Sequence, residues 1–282
     1  MKLKLIAIFT TIILTATSFA QKNNDLAVGT ILKQGNSIYY LVRKFSNADQ
    51  NAAFQRDLDI MRKHALVIDK TKNAQKESDE KISKAGGKEK ASKEILEERA
   101  KIDSVLKQLE VDFATNEEAM KKLYGFVSNR EYRVIYNESN ICIPLTREEL
   151  SNFKSKDGKS LDAMKIITRG NNSLYVYKNV SGSRENEVLQ RMLGFSISRK
   201  NEIEKTRQEL AKTEDPQEQL KLSQRISNAE KSFAENEENL KKTYGLNKDQ
   251  SYVIEIVKSD LFLLITPEEE KELRSAIAKQ KK

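Results

Sequence analysis

The chain has almost none of the residues that build metal, disulfide or nucleophilic sites. Among 282 residues there is one cysteine, Cys142, one histidine, His64, and no tryptophan. A single cysteine excludes an internal disulfide, so we expect packing to supply the stability. No His-Glu-x-x-His, phosphate-loop, Gly-x-Ser-x-Gly or cysteine-cluster motif is present. The sequence therefore predicts no enzyme, no metal site and no cofactor.

Carboxylates are the one class of catalytic side chain that is abundant. They lie in segments rich in lysine, where ion pairs between residues i and i+4 of a helix are their simplest role. A carboxylate hydrolase is thus the least favoured function, and a pocket with convergent carboxylates would be needed to support it.

Turn residues are also scarce, with three prolines and ten glycines, whereas 33% of the residues are charged. This composition is typical of long solvated helices that share a narrow apolar seam. It also fits disorder, so the periodicity of the apolar residues has to decide between the two.

The only long apolar run lies at the N-terminus. Lys2 and Lys4 precede an apolar stretch from Leu5 to Leu14, and Ser18 and Ala20 are small residues at the −3 and −1 positions of a cleavage site. This order predicts a secretory signal peptide over residues 1–20, cleaved after Ala20, and a periplasmic or secreted protein. An uncleaved anchor is the alternative, although the run is shorter than a membrane span.

The charge is strongly basic, at +8 for the whole chain. For an exported protein, nucleic acid is excluded as a partner. Unfolded or envelope proteins and anionic membrane surfaces are the partners that a basic surface favours.

One stretch occurs twice: FATNEEAMKKLYG at 113–125 and FAENEENLKKTYG at 233–245. The match continues from ICIPLTREE at 141–149 to LFLLITPEE at 261–269, and NSIYYLV at 36–42 resembles NSLYVYK at 172–178. We therefore predict two repeat units, 21–160 and 161–282.

Each unit shows the same order of elements. A strand near 37–43 or 173–178 precedes a long charged region, and two short strands follow it, with turns expected at NESN (137–140) and VKSD (257–260). A short helix then begins with the capping-box spacing of Thr146 and Glu149, or of Thr266 and Glu269.

The long charged regions carry apolar residues at heptad spacing, which predicts antiparallel coiled-coil hairpins at about 47–124 and 184–244. The first seam comprises Phe54, Leu58, Met61, Ala65, Ile68, Ile102, Leu106, Leu109, Phe113, Asn116, Met120 and Leu123. The second comprises Leu189, Leu193, Ile203, Leu222, Ile226, Ala229, Phe233 and Leu240. Toward the first tip, Lys72, Gln75 and Asp79 occupy seam positions, so fraying is expected there. The predicted fold class is α+β, with each small β body bearing one hairpin.

Three sets of residues stand out in this framework. Asn116 and Asn236 lie in the seams, where a buried asparagine can set the helix register. Gly125 and Gly245 follow the last helical turns and predict helix stops. A basic tip, with five lysines against one glutamate in residues 81–93, is the candidate client- or partner-binding site. Its lysines are Lys81, Lys84, Lys88, Lys90 and Lys93.

The order of strand, helical hairpin, strand, strand and helix resembles the Skp/OmpH family of periplasmic chaperones. The resemblance rests on YRVIYNESNICIPLTREEL (132–150) and YVIEIVKSDLFLLITPEEE (252–270). It implies an ATP-independent holdase that shelters unfolded outer-membrane proteins between its helical arms. Family members carry one unit per chain and form trimers, whereas this chain fuses two, so self-association stays open. The alternative is a secreted adaptor that docks one envelope partner.

Overall fold

The computed structural model describes residues 26–155, 158–247 and 250–280. Within these ranges the chain is mixed α+β, as predicted, with six α-helices and one six-stranded antiparallel sheet. The strands are β1 Ile31–Gln34, β2 Ser37–Phe45, β3 Tyr132–Leu145, β4 Ile166–Arg169, β5 Asn172–Ser181 and β6 Val253–Ile265. The helices are α1 Ala48–Lys84, α2 Lys93–Tyr124, α3 Arg147–Asn152, α4 Ser183–Leu210, α5 Pro216–Tyr244 and α6 Pro267–Gln280. The predicted signal peptide lies outside the described residues.

The sheet has the strand order β1-β2-β6-β3-β5-β4. Counted from the β1 edge, strands β1, β2 and β3 are the first, second and fourth strands of the sheet. Counted from the β4 edge, strands β4, β5 and β6 are likewise the first, second and fourth. Two tight hairpins form the edges, β1–β2 with Gln34 opposite Ser37 and β4–β5 with Arg169 opposite Asn172.

The chain divides into two compact units that differ from the predicted consecutive ranges. Unit 1 contains Ala27–Val134 and the segment from Asp260 onward, and unit 2 contains Ile135–Ser259. The difference from a boundary at 160/161 arises because β3 and β6 each contribute residues to both units.

The turns predicted at NESN and VKSD are wrong, because both segments lie inside the continuous strands β3 and β6. Ser139, Ser259 and Asp260 are each at most 1% exposed. In unit 2, the Ser139 hydroxyl donates to the Asn186 side-chain oxygen, and the Asn186 amide donates to the carbonyls of Val180 (2.9 Å) and Gly182 (2.8 Å). Each polar run that resembles a turn in sequence is thus part of a strand with a buried serine, and in β3 the Asn186 side chain satisfies that serine.

The core of unit 1 is aromatic. Phe54 lies 5.0 Å from Phe45, 5.1 Å from Tyr124 and 6.2 Å from Phe126, measured between ring centroids. Leu261, fully buried, packs in the same cluster. The segment after Asp260 is therefore part of this core.

The core of unit 2 is largely aliphatic. It comprises Ile141, Val180, Leu189, Leu240, Tyr244 and Leu246. In both units the core joins the first turns of one long helix, the last turns of the next and the sheet, so each helix pair is anchored at its base.

Helix α6 is tied to unit 1 by charged side chains. Arg130 binds Glu269 through two hydrogen bonds of 2.8 and 2.9 Å, and Lys33 lies 2.9 Å from Glu270. Arg274 also contacts Glu270, at 2.8 Å. Lys33 first, and Arg274 second, hold the pKa of Glu270 below its usual value.

Helices α2 and α5 end at Gly125 and Gly245, which have φ of 69° and 76°. A Cβ atom on Gly125 would lie 2.4 Å from Val42 Cγ1, and one on Gly245 would lie 2.4 Å from the Tyr177 hydroxyl oxygen. Both the backbone conformation and the close approach of the sheet therefore require glycine.

Replacing Gly125 by alanine should destabilise the protein by about 2–4 kcal/mol, because left-handed strain and a steric clash add. Gly35→Ala is the matched control, since Gly35 has φ of 55° but a Cβ atom at this position would meet nothing within 4 Å. It should cost only about 1 kcal/mol. Chemical denaturation followed by circular dichroism measures the free energy of unfolding of both variants. Equal losses of stability would contradict a steric clash with Val42.

The Glu270 ion pairs predict a pH-dependent contribution to stability. The pKa of Glu270 is lower in the folded protein than its unfolded value of 4.5, so the ionised carboxylate stabilises the fold at pH values above 4.5. This contribution is lost as the pH falls through the pKa of the folded protein. We expect Glu270→Gln to be less stable than wild type at pH 7 and to match it at low pH. Glu272→Gln, which alters an exposed glutamate on the same helix, should leave the pH profile unchanged.

Candidate binding surface on the helix pairs

Helices α1 and α2, here called pair 1, run antiparallel. Their cross-helix contacts pair residues in opposite order along the two helices: Asp57 with Tyr124 (2.7 Å), His64 with Asn116 (3.2 Å), Lys72 with Glu110 (2.8 Å), Gln75 with Asp103 (2.7 Å) and Asp79 with Arg99 (2.6 Å). At 1.5 Å per residue, the 37 residues of α1 extend about 55 Å.

Near the base, apolar side chains close the seam between these helices. Phe54, Leu58, Met61 and Met120 are all at most 4% exposed. The assignment of Leu123 to the seam is wrong, because Leu123 is 54% exposed and Tyr124 is buried instead. Burial, followed by the hydrogen bond to Asp57, raises the pKa of Tyr124 to about 12.

Farther out, the seam becomes polar. Lys72 and Gln75, at predicted seam positions, bind residues of α2 across the pair. Asp79 is not buried in the seam, since its side chain is 56% exposed where it meets Arg99. The buried residues of α1 here are Ser78 and Ile82, one helical turn apart.

The tip of pair 1 is the loop of residues 85–92, which contains Gly86 and Gly87 with φ of 90° and 100°. All five candidate lysines are exposed. Lys81 and Lys93 contact Glu98 and Glu97, each at 3.6 Å. Among the described residues, the other three, Lys84, Lys88 and Lys90, form no ion pair. The tip therefore carries a net positive charge, with Glu89 as the one acidic residue of the loop.

Helices α4 and α5, here called pair 2, are shorter, with 28 and 29 residues. Arg225 of α5 contacts Glu202 of α4 at 3.0 Å, and Arg207 of α4 contacts Glu230 of α5 at 2.6 Å. The connecting residues 211–215 include Glu214 and Asp215 but only one lysine, Lys212. The two tips thus differ in charge, as the sequence indicates.

The two seam asparagines both bind the facing helix. The Asn116 amide nitrogen lies 3.2 Å from His64 Nδ1 in pair 1. In pair 2, the Asn236 amide donates to the Met192 carbonyl and to the Ser196 hydroxyl, both at 2.8 Å. Each contact is available only when one helix sits at one height against the other, which is how such a residue sets register.

Two buried asparagines were missed by the sequence analysis. Asn51 and Asn186, 3% and 0% exposed, lie in the first turn of α1 and α4. The signal was the repeated pattern Asn-x-x-apolar-Gln-Arg, in NAAFQR (51–56) and NEVLQR (186–191). Asn186 joins the start of α4 to Ser139 of β3, so it positions the base of pair 2.

Metal-ligating side chains are scattered in the part of the chain that the structure describes. The described residues contain no group of three or more His, Cys, Asp and Glu side chains placed to hold a metal ion. Cys142 is fully buried, and burial raises the pKa of its thiol to about 11. None of the helices in these ranges combines the length and apolarity needed to cross a membrane.

Comparisons with family models, with curated proteins and with solved structures found no match to this chain. The candidate surface therefore rests on the geometry of the helix pairs alone.

Replacing Asn236 by alanine should destabilise the protein by about 2 kcal/mol, because two hydrogen bonds across pair 2 are lost. Asn116→Ala, the matched change in pair 1, removes one contact and should cost about 1 kcal/mol. Thermal and urea denaturation of both variants checks the order, and a larger loss for Asn116→Ala would contradict it.

Proposed function

We propose that the protein is an exported, ATP-independent holdase that binds unfolded envelope proteins along its helical arms. Pair 1 carries the observation that supports this most. Six large apolar side chains on α1 and α2 are at least 40% exposed: Ile60, Leu66, Val67, Val105, Val111 and Leu123. On pair 2 only Ile197 and Leu220 are so exposed among the described residues.

Apolar side chains scattered along a basic arm suit weak binding of unfolded chains. Each contact buries little area, so no single sequence is selected, and the exposed lysines attract acidic segments of a client. An extended arm also offers many such contacts at once. The combination favours many clients over one.

The proposal includes the finer architecture. Each helix pair is a coiled-coil hairpin, and the chain is a tandem repeat of one arm-bearing unit similar to the Skp/OmpH chaperones. The repeated stretches at 113–125 and 233–245 and the antiparallel contacts within each pair support this. Export is supported by the signal-peptide pattern of residues 1–20.

The test is suppression of aggregation of a urea-denatured outer-membrane β-barrel protein diluted into buffer. Wild-type protein should suppress light scattering at stoichiometric dose, and added salt should weaken the effect. Lys84→Glu, Lys88→Glu and Lys90→Glu combined should raise the dose for half suppression by roughly threefold to tenfold, since each partly screened charge contributes little.

The matched control reverses the same number of charges on pair 2, with Lys200→Glu, Lys212→Glu and Lys231→Glu, at exposed lysines that form no ion pair among the described residues. This control variant should raise the dose for half suppression far less than the pair 1 variant. No suppression by wild-type protein at any dose would refute the holdase. A single stable partner in a crosslinking pulldown from envelope extract would instead favour the adaptor.

A further inference from the structure

The outer segment of pair 1, residues 71–84 with 93–110, is held together differently from the base. At the base, aromatic and methionine side chains fill the seam. In the outer segment, the helices meet mainly through charged and amide side chains: Lys72 with Glu110, Gln75 with Asp103, Asp79 with Arg99, and Lys81 with Glu98. Polar contacts near solvent contribute less stability than apolar burial.

Arg99 is the centre of these contacts. Its Nε donates to Asp79 Oδ1 at 2.6 Å, and a terminal nitrogen pairs with Asp103 on its own helix. Asp103 in turn accepts from the Gln75 amide at 2.7 Å. Arg99 is only 18% exposed, whereas Asp79 and Asp103 are 56% and 52% exposed. The Arg99 guanidinium on α2 therefore connects to α1 in two ways. It binds Asp79 directly, and it binds Asp103, which in turn binds Gln75.

The layer beside Arg99 weakens the segment further. Ser78 is 1% exposed, and its hydroxyl has no hydrogen-bond partner in the structure. A buried hydroxyl without a partner costs free energy that opening would recover. Ile82, 6% exposed, is the only fully buried apolar residue of α1 beyond Ile68.

We propose that the outer segment opens as a separate unit while the base stays closed, and that Arg99 is the latch that controls this opening. Ionic strength regulates the latch, because screening acts on its half-exposed carboxylates but not on the aromatic base. Opening exposes Ser78, Ile82 and Leu106 to solvent. The inference needs no client and does not rest on the proposed function.

Hydrogen–deuterium exchange of the full chain, read by mass spectrometry on peptides from each half of pair 1, tests the latch. Arg99→Gln should speed exchange in the outer segment about fivefold, which corresponds to about 1 kcal/mol. The base, residues 48–68 and 113–124, should keep its wild-type rates. Arg99→Lys retains the charge but not the planar fork, so it should give an intermediate rate.

Lys93→Gln is the matched control, because it removes one positive charge from the same arm and breaks only a contact within α2. It should leave the outer rates near wild type. Raising the salt concentration from about 0.05 to 0.5 M should speed wild-type outer exchange and have a smaller effect on Arg99→Gln, in which only the Lys72–Glu110 and Lys81–Glu98 pairs between the helices remain to be screened.

Helices that separate without unwinding would keep their amides protected, so a distance measurement is also needed. Spin labels on cysteines placed at the exposed positions Lys76 and Lys101 should report a broader, longer distance in Arg99→Gln, and Cys142 is too buried to be labelled. The latch is supported if Arg99→Gln shows faster exchange in the outer segment alone, or a broader distance distribution between the two spin labels there. Equal changes in both halves, an equal effect of Lys93→Gln, or no change in either readout would overturn it.

Discussion

The hydrogen bond between Ser139 and Asn186 shows the constraint on which the structure depends: the long strands carry polar residues at their buried centres. A buried polar group in a strand is stabilised when another element forms hydrogen bonds with it. In unit 2 the first turn of α4 does so, and this same contact fixes where pair 2 leaves the sheet. Strand continuity and arm placement therefore have one physical cause.

The base of each pair follows from that attachment. Tyr132 and Tyr252 accept backbone hydrogen bonds from Val127 and Asn247, at 2.9 and 3.0 Å, just after the helices end. With Gly125 or Gly245 at the helix end, these contacts turn the chain sharply into a strand. The similar stretches at 113–125 and 233–245 each end at this junction.

The contacts between the helices of pair 1 change from apolar at the base to polar toward the tip. Apolar burial dominates up to Ile68, and ion pairs and amide contacts dominate beyond it. Long helices with a thin seam depend on such contacts, because isolated helix pairs are marginal in water. The tip lysines without ion pairs lie at the outer end of this arm, which we propose opens, whereas five of the six exposed apolar side chains lie closer to the base. We propose that clients bind along the whole arm.

The sequence was sufficient for the class, the long helices, both helix stops and the polar outer seam, because these depend on local periodicity and on backbone conformation at Gly125 and Gly245. It placed Leu123 rather than Tyr124 in the seam, since heptad counting ignores the aromatic core that captures the tyrosine ring. It also read NESN and VKSD as turns, because polarity alone cannot reveal a distant partner such as Asn186. Only the tertiary structure decided that these segments continue a strand around a buried serine, and that β3 and β6 each contribute residues to both compact units, because both outcomes depend on contacts between residues far apart in the chain.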